Sequence, residues 1–491
     1  MKTLSDYITA ICKDRDMKIE DLQKKLGCSR TTLYRYMKGI NRITPDLAKS
    51  FIEALNMDVQ ETLAFSKLAS LSAYDQSLVE SRYAIDDFLF GKQQKPNAKV
   101  DVNMVFYDND KYLRTLKEVL DYIRSFSEKE DLIGNVKIVN CLSDNIFTQI
   151  VAFLEKAFTG AGDVHAEHFL GLSETDYLQN ACSFISIFPL MINEKYRLYF
   201  REKEMEDALT NDSMLVSLEY KENGKPVNRY FSISFYEDSM SECIAFSDKY
   251  MYSFLSKVYE NLKRSLSSVI QKYDNMDFTD DIISEMCKRE SIYIIKPNPC
   301  FDKVPYEAYL SMTGRMSDEE KMVFLSGAHG KPIDSESMPA AFETAFQYIQ
   351  KRLEYAQNAR QIDVYSKAGL LEFSRTGRLS DHMEHLPAFN QNEIDMIIKH
   401  ICNRRDNPDD DYKLYITGCD LLRNELVIYA SKGYGILISY VYPERSDGLW
   451  RVLLVQSKRL ASIFCDYIEN HIPITHAINE NEATSYLDSL T

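Results

Sequence analysis

The sequence predicts a multidomain protein in which a small all-α N-terminal domain precedes a large mixed α/β (α+β) body. Its 491 residues allow two to four domains at roughly 100–200 residues each. Apolar residues recur at helical spacing up to about Gly91, whereas strand-like and helical segments alternate from Val100 onward. Residues 92–97 (KQQKPN) are polar and contain a proline, which is typical of a linker between the two regions.

Residues 19–39 have the pattern of two short helices joined by a tight turn. The first helix is predicted over 19–26, after an opening helix over 4–15 that packs against the pair. Gly27 supplies the positive φ that the reversal requires, and Ser29 caps a second helix that runs to about Lys38. The two helices therefore form a compact helix-turn-helix unit.

The second helix of this unit has an apolar and a polar face. Leu33 and Met37 are four residues apart and are predicted to pack inward. The outer face is left to Arg30, Thr31, Tyr34 and Arg35. Arginine and threonine side chains in this position suit the edges of DNA bases.

Residues 4–63 resemble the Cro/repressor (Xre) helix-turn-helix family. The matching positions are Glu20, Leu22, the Leu26-Gly27-x-Ser29 turn, Leu33 and the exit Lys38-Gly39-x-Asn41-Arg42. The resemblance implies that residues 19–42 bind double-stranded operator DNA. The implied contacts are Ser29, Arg30, Thr31, Thr32, Tyr34, Arg35, Lys38, Asn41 and Arg42.

The resemblance also implies separate roles for these contacts. Arg30, Thr31 and Arg35 would face base edges with Tyr34 beside them. Phosphates would be held by Lys38, Asn41 and Arg42. One position departs from the family: Ile19 stands where many members have a glutamine that bonds the DNA backbone, so that contact is expected to be missing.

The charge distribution favours the N-terminal domain as the nucleic-acid contact. The net charge of the chain is −16, but residues 1–60 contain 11 Lys+Arg and 8 Asp+Glu, which gives +3 and leaves −19 for the rest. An acidic body repels nucleic acid over a Debye length of about 8–10 Å at physiological salt. Nucleic acid is therefore not expected to bind the body.

Helical patterns continue beyond the helix-turn-helix unit. A helix over 45–55, with Thr44 as its cap and Pro45 in its first turn, would close the small core. Residues 59–90 are predicted to form a helical connector that serves as the dimer contact or transmits a signal. The predicted divisions are 1–65, the DNA-binding domain, and 66–97, the connector and linker.

The first part of the body, residues 98–275, is predicted to be an α/β unit. Helices are expected over 111–127, 144–158 and 249–261. Strands are expected over 135–139, 184–191, 213–220, 230–236 and 243–246, with a hairpin turn at 222–224. Residues 276–388 are predicted to be a helical middle segment, with helices over 279–288 and 339–358. A second α/β unit would occupy 389–491.

Two segments of the body resemble each other. Aligning residues 246–261 with 455–470 pairs Lys249 with Lys458, Ser253 with Ser462, Glu260 with Glu469 and Asn261 with Asn470. Each segment follows a strand-rich stretch. We interpret this as an internally duplicated α/β unit, and chance similarity between two amphipathic helices is the alternative.

No familiar catalytic motif occurs in the body. The pairs His165/His168 and His382/His385 lack the glutamate and third ligand of zinc proteases, and 329–334 matches the phospholipase D-like pattern poorly. Phosphate-binding, dinucleotide and serine-hydrolase motifs are also missing. We therefore expect no enzyme, no cofactor and no metal site. Ten scattered cysteines without a C-x-x-C pair fit reduced thiols.

Ligand recognition by the body is a further expectation. Loops over 327–334 and 369–387 are the natural places for a site. A group made of Tyr415, Tyr429, Tyr434 and Tyr440 would line a pocket for a small-molecule or peptide effector, or would simply pack across a sheet.

The sequence thus favours a bacterial, cytoplasmic, one-component transcription regulator. It would bind its operator as a homodimer, with a body that senses an effector, oligomerises or does both. The chain has no run of about 18 apolar residues, so no membrane association is expected. The alternatives are an enzyme or toxin-like effector that its own DNA-binding domain regulates, and an oligomerisation scaffold.

Overall fold

The chain folds into two compact units. The computed structural model describes residues 3–91, 103–108, 111–129, 131–140, 144–201, 212–236, 242–265, 267–268, 270–273, 279–289, 291–300, 303–329, 336–341, 343–344, 347, 354, 359–379, 387–418, 426–441 and 450–490. Unit 1 comprises Met1–Lys92, Lys272–Leu453 and Lys458–Thr491, and unit 2 comprises Gln93–Gln271 and Leu454–Ser457. The divisions at 65, 97, 275 and 388 stay predictions from the sequence.

The N-terminal part of unit 1 is entirely helical. Its helices are α1 (Leu4–Asp14), α2 (Ile19–Lys25), α3 (Arg30–Met37), α4 (Pro45–Leu55), α5 (Val59–Ala73) and α6 (Gln76–Leu89). Thr3, Thr44 and Asp58 cap α1, α4 and α5 by accepting backbone N–H groups. The resulting core includes the fully buried Ile8, Leu22, Leu33, Phe51, Leu55 and Phe65.

The predicted connector over 59–90 is two helices rather than one. Tyr74 at the end of α5 adopts an extended conformation with φ −129° and ψ 162°. The Asp75 carboxylate then accepts the backbone N–H groups of Ser77 and Leu78 at 2.9 and 3.3 Å and starts α6. An aspartate that caps the following turn interrupts a helix that apolar periodicity alone would continue.

Unit 2 is built on a nine-stranded mixed sheet with the order β2-β1-β8-β7-β6-β3-β4-β5-β9. Its strands are β1 (Asn103–Asp108), β2 (Lys111–Thr115), β3 (Ile133–Val139), β4 (Asp163–Gly171), β5 (Tyr196–Arg201), β6 (Ser213–Glu222), β7 (Lys225–Tyr236), β8 (Glu242–Phe246) and β9 (Ser267–Ser268). Its helices are α7 (Leu116–Arg124), α8 (Asp144–Thr159), α9 (Tyr177–Met191) and α10 (Lys249–Ser265). A 3-10 turn, Ser125–Glu128, follows α7.

The rest of unit 1 is organised by a seven-stranded mixed sheet with the order β10-β16-β15-β14-β11-β12-β13. Its strands are β10 (Ile270–Tyr273), β11 (Ser291–Ile295), β12 (Arg360–Ser366), β13 (Tyr412–Thr417), β14 (Leu426–Ser431), β15 (Gly435–Val441) and β16 (Trp450–Val455). The helices are α11 (Thr279–Cys287), α12 (Tyr306–Gly314), α13 (Asp318–His329), α14 (Lys367–Thr376), α15 (Gln391–Asp406), α16 (Lys458–Asn470), α17 (Ile472–Thr475) and α18 (Glu480–Asp488).

The two sheets share a topology. The order β8-β7-β6-β3-β4-β5 in unit 2 recurs as β16-β15-β14-β11-β12-β13 in unit 1. In both, three parallel strands are followed by an antiparallel hairpin that pairs with the first of them. A helix follows the last strand in each case, α10 after β8 and α16 after β16. This agreement supports the interpretation of a duplicated unit.

The second sheet takes two strands from residues 276–388, which the sequence predicts to be helical. These strands are β11 and β12, both buried at nearly every residue. A short strand that is buried on both faces of a sheet carries no alternation of apolar and polar residues that would reveal it. The second α/β unit therefore starts well before residue 389.

Two predicted elements of unit 2 are corrected. Residues 184–191, expected as a strand, lie in helix α9, because a buried apolar run does not distinguish a strand from a buried helix. The helix expected over 111–127 is divided, with β2 before α7. Thr115, which caps α7 by accepting the Glu118 N–H at 3.2 Å, marks the junction. The hairpin of β6 and β7 was predicted correctly, including its turn.

His165 and His168 are not placed together as a pair of ligands. Both lie on strand β4, where residues three apart point to opposite faces. His165 is exposed, whereas His168 is buried and its two ring nitrogens lie 2.6 Å from Tyr196 Oη and 2.7 Å from the Asn140 carbonyl oxygen. Burial lowers the pKa of His168 to about 4. His382 and His385 lie outside the described residues.

The tyrosine group is divided by the strand order. Tyr415 lies on β13 and Tyr429 on β14, and β12 and β11 separate these strands. They therefore do not line a common pocket. The side chain of Tyr440 is not among those described, and the loops 330–335 and 380–386 and most of the predicted helix 339–358 also lie outside the described residues.

The N-terminal helices are anchored to the C-terminal helices of unit 1. Arg82 on α6 forms a bidentate ion pair with Asp466 on α16, at 2.7 and 3.0 Å, and the arginine side chain is only 1% exposed. Its guanidinium also lies over the Tyr74 ring, 4.3 Å from the centroid. Ile474 on α17 packs against the core of the N-terminal helices. The N-terminal domain is thus attached to the C-terminal helices of unit 1 through the side formed by α4 to α6.

None of the helices in the described part of the chain combines the length and the apolar character that crossing a membrane requires.

Candidate nucleic-acid interface

The turn between α2 and α3 has the geometry that its residues predict. Gly27 adopts a φ of +61°, in the left-handed region that glycine occupies without a steric penalty. Ser29 precedes α3 in an extended conformation and its Oγ accepts the Thr32 N–H at 3.1 Å. Leu33 and Met37 are buried at 0% and 3% exposure. Helix α3 is therefore fixed in rotation about its axis.

Fixing α3 this way places its polar face in solvent. The exposed side chains on that face are Arg30, Thr31, Tyr34 and Arg35. No acidic residue occurs within the first turn of α3, and Arg35 lies in its last turn. The face is thus cationic and hydroxyl-bearing, and α3 itself carries no carboxylate, which suits contact with base edges and phosphates.

Arg30 is oriented by two neighbours. Its guanidinium lies 3.7 Å from the Glu20 carboxylate on α2, and both side chains are more than half exposed. It also lies over the Tyr34 ring, 5.8 Å from the centroid. An exposed ion pair of this kind contributes little to stability, so the guanidinium is available to a stronger partner. From the sequence, Glu20 stands out only as a position that matches the family, and its contact with Arg30 is visible only in the structure.

Ser29 and Thr32 have a different local role from the arginines. Their hydroxyl oxygens lie 2.7 Å apart, and Ser29 Oγ is already engaged by the Thr32 N–H. Thr32 is half-buried. Both hydroxyls therefore belong to the cap of α3, and any DNA contact that they make must share the hydroxyls with the cap.

The residues after α3 that are predicted to bind phosphates differ in how exposed they are. Lys38 ends α3 and is exposed, and Gly39 reverses the chain with a φ of +69°. Asn41 is half-buried, and its backbone N–H donates to the Arg35 carbonyl oxygen at 3.2 Å. Arg42 is exposed but lies over the Tyr74 ring, 5.4 Å from the centroid. Lys38 is thus the most accessible of the three.

The start of α2 is consistent with the DNA contact that is expected to be missing at Ile19. Lys18 occupies the cap position and makes no side-chain hydrogen bond to the helix. Ile19 is half-buried and packs against the core of the domain. An isoleucine side chain that packs against the protein core cannot make the contact with the DNA backbone that the resemblance implies for a glutamine at this position.

Unit 1 also contains a buried polar network. Lys303 and Asp363 form an ion pair at 3.3 Å with both side chains fully buried. The Asp363 carboxylate also accepts hydrogen bonds from Tyr365 and Tyr412. These groups are buried in the interior of unit 1.

Comparison with known proteins agrees with this geometry. Residues 8–61 match a family model described as helix-turn-helix. No curated protein matches the chain. The match covers α2, α3 and α4 and most of α1, that is, the whole of the candidate interface. It supports a DNA-binding regulator in general, and the N-terminal region is a helix-turn-helix domain of the Cro/C1 (Xre) type.

Proposed function

We propose that this protein is a sequence-specific, one-component transcription regulator whose helix α3 enters the major groove of operator DNA. The single observation that carries the proposal is the outward face of α3, where Arg30, Thr31, Tyr34 and Arg35 stand in solvent on a capped helix of the matched domain. A helix presented in this way inserts its first turns between the phosphate ridges. Arg30 and Arg35 then supply bidentate donors for guanine.

The experiment that tests the proposal begins with selection from a random double-stranded DNA library. The selected sequence and a scrambled version are then compared by fluorescence anisotropy over a range of salt. Selective binding with a steep salt dependence supports a regulator. Equal binding of both sequences, with the N-terminal domain folded, refutes sequence-specific recognition.

Lys38→Ala is expected to weaken binding to the selected and the scrambled DNA by the same factor. The ammonium at the exposed end of α3 is placed to neutralise a phosphate, which carries no sequence information. The slope of log K against log salt should fall in magnitude by about 1. Lys413→Ala is the matched control, because Lys413 is an exposed lysine on β13 and its loss changes the net charge equally. A change in base preference in Lys38→Ala would contradict the assigned role.

The proposal includes a homodimer, because two recognition helices must reach half-sites about one helical turn (~34 Å) or a multiple apart. A contact surface for the second copy is available in unit 2. Strand β8 and helix α10 expose the large apolar side chains Ile244, Phe246, Tyr250, Met251 and Phe254, of which Tyr250 is 86% exposed. Clusters of exposed apolar side chains commonly mark protein contacts.

Phe254→Asp is expected to convert the dimer to a monomer, since a carboxylate that becomes buried in this contact would be desolvated without a partner. Multi-angle light scattering measures the molar mass directly. Asn261→Asp adds a charge at an exposed position of the same helix and should leave the dimer intact. An unchanged mass for Phe254→Asp would exclude this surface as the dimer contact.

Two further points stay predictions from the sequence. One is that the body senses a small-molecule or peptide effector, and the other is that the protein is not an enzyme. In a one-component regulator an effector acts by binding one arrangement of the two recognition helices better than another. Addition of candidate effectors to the anisotropy assay is the corresponding measurement.

A further inference from the structure

Three potential metal ligands meet where α6 approaches the C-terminal helices of unit 1. Asp86 lies near the end of α6, while His471 and His476 flank the short helix α17. Asp86 Oδ1 is 2.6 Å from His476 Nε2 and 3.3 Å from His471 Nε2. One ligand atom from each residue lies within 4.8 Å of the other two.

These separations are close to those in metal sites. Imidazole nitrogens and carboxylate oxygens lie about 2.0–2.2 Å from a bound zinc ion, so two ligands at angles of 90° to 109° are about 3.0–3.5 Å apart. The carboxylate oxygen already satisfies this distance with His471 and is slightly too close to His476. A shift of a few tenths of an ångström would admit an ion.

The surrounding side chains hold the two imidazole rings in place. Phe90 stacks on His476 with a centroid distance of 4.2 Å, and Tyr83 meets His471 edge-on at 5.0 Å. Tyr467 Oη donates to Asp86 Oδ1 at 2.8 Å and adds a further oxygen beside the cluster. Fixed ligands reduce the entropy cost of binding, since they are already oriented before the ion arrives.

One nitrogen of the cluster lacks an aligned hydrogen-bond partner. His471 is 4% exposed, and its Nε2 makes no hydrogen bond although Asp86 Oδ1 is 3.3 Å away. A buried polar nitrogen without a partner is costly and is found where a ligand or ion is expected to complete the site.

We propose that Asp86, His471 and His476 bind a divalent transition-metal ion. Two imidazoles and one carboxylate suit zinc or ferrous iron, whereas calcium and magnesium prefer oxygen ligands alone. Three protein ligands leave a coordination position for water or for the Tyr467 hydroxyl.

The site would link distant parts of the chain. An ion held there joins α6 to both ends of α17, a helix that packs against α4 and α5. The proposal does not depend on DNA binding, because its ligands lie outside the face formed by α3.

The test uses the full-length chain without a polyhistidine tag, stripped with a chelator and dialysed. Isothermal titration with zinc chloride measures stoichiometry and affinity, and Co²⁺ provides visible absorption that reports the coordination geometry. We expect one equivalent of each ion and an upward shift of the thermal transition with zinc. Failure of the stripped wild-type chain to bind either ion stoichiometrically would overturn the proposal.

Two variants locate the ion. His476→Gln and Asp86→Asn are each expected to lower zinc affinity by more than about 100-fold. Removal of a direct ligand should cost more than the 10–100-fold loss that is typical when a residue hydrogen-bonded to a ligand is mutated. His165→Gln, which removes an exposed histidine that lies 3.2 Å from Asp163, is the matched control and should bind zinc like the wild type. Circular dichroism verifies folding of each variant. Equal zinc affinity in folded His476→Gln and the wild type would place the ion elsewhere and refute the site.

Discussion

The double substitution Arg30→Ala/Arg35→Ala is expected to eliminate the preference of this protein for its selected DNA sequence. Each arginine is exposed on α3 and can donate two parallel hydrogen bonds to guanine, an interaction that discriminates against a wrong base by about 1–3 kcal/mol. Loss of both therefore removes about 2–6 kcal/mol of selectivity, or roughly 30-fold to more than 10⁴-fold in relative affinity. Residual binding should be equal for selected and scrambled DNA.

Anisotropy titrations with both DNAs measure this ratio directly. The matched control is Arg375→Ala/Arg378→Ala, which removes two exposed arginines near the end of α14 and changes the net charge equally. The control should retain the wild-type ratio. If the double variant on α3 kept the selectivity and lost only general affinity, Arg30 and Arg35 would be phosphate contacts and the assignment of base readers would be wrong.

Arg82→Ala is expected to destabilise unit 1 by about 3–5 kcal/mol, the cost of removing one partner from a buried ion pair. The guanidinium makes two hydrogen bonds to Asp466, a third to Ser70 at 3.3 Å and a contact with the Tyr74 ring. The Asp466 side chain is only 15% exposed and would be left without its bidentate cation. Arg82 also joins α6 to α16, so its loss weakens the attachment of the N-terminal helices.

Urea unfolding followed by far-ultraviolet circular dichroism measures the change as a lower midpoint for the affected transition. Arg124→Ala is the control, because Arg124 pairs at 2.9 Å with Asp121 on the surface of α7 and exposed pairs contribute about 0–1 kcal/mol. The double variant Arg82→Met/Asp466→Leu should recover part of the loss, since it leaves no buried charge. Equal urea midpoints for Arg82→Ala and Arg124→Ala would show that the buried Arg82–Asp466 pair contributes no more to stability than an exposed pair.

The N-terminal domain was predictable because its signals are local. The positive φ at Gly27 and the Ser29 cap depend on neighbouring residues, and the four-residue spacing of Leu33 and Met37 gives α3 its apolar face. The exposure of Arg30 and Arg35 follows from the same helical geometry. Their contacts with DNA stay predictions, since geometry establishes only that they are accessible.

The body was predictable in part for the same reason. The turn between β6 and β7 is encoded by Asn223-Gly224, both with positive φ, and the hairpin was recognised correctly. The similarity of 246–261 to 455–470 pointed to a repeated unit, and the strand order of the two sheets agrees with it. Residues 184–191 were assigned wrongly because burial on all sides removes the periodicity that distinguishes helix from strand.

The sequence by itself thus determined the N-terminal fold, the orientation of α3 and the mixed character of the body, because caps, turns and apolar periodicity act over a few residues. Tertiary structure alone decided which distant residues meet. It brought Arg82 to Asp466, and Asp86 to His476 across 390 positions of chain. It also placed β11 between β12 and β14. No local pattern encodes these contacts, since they arise only when whole helices and strands bury their apolar faces against one another.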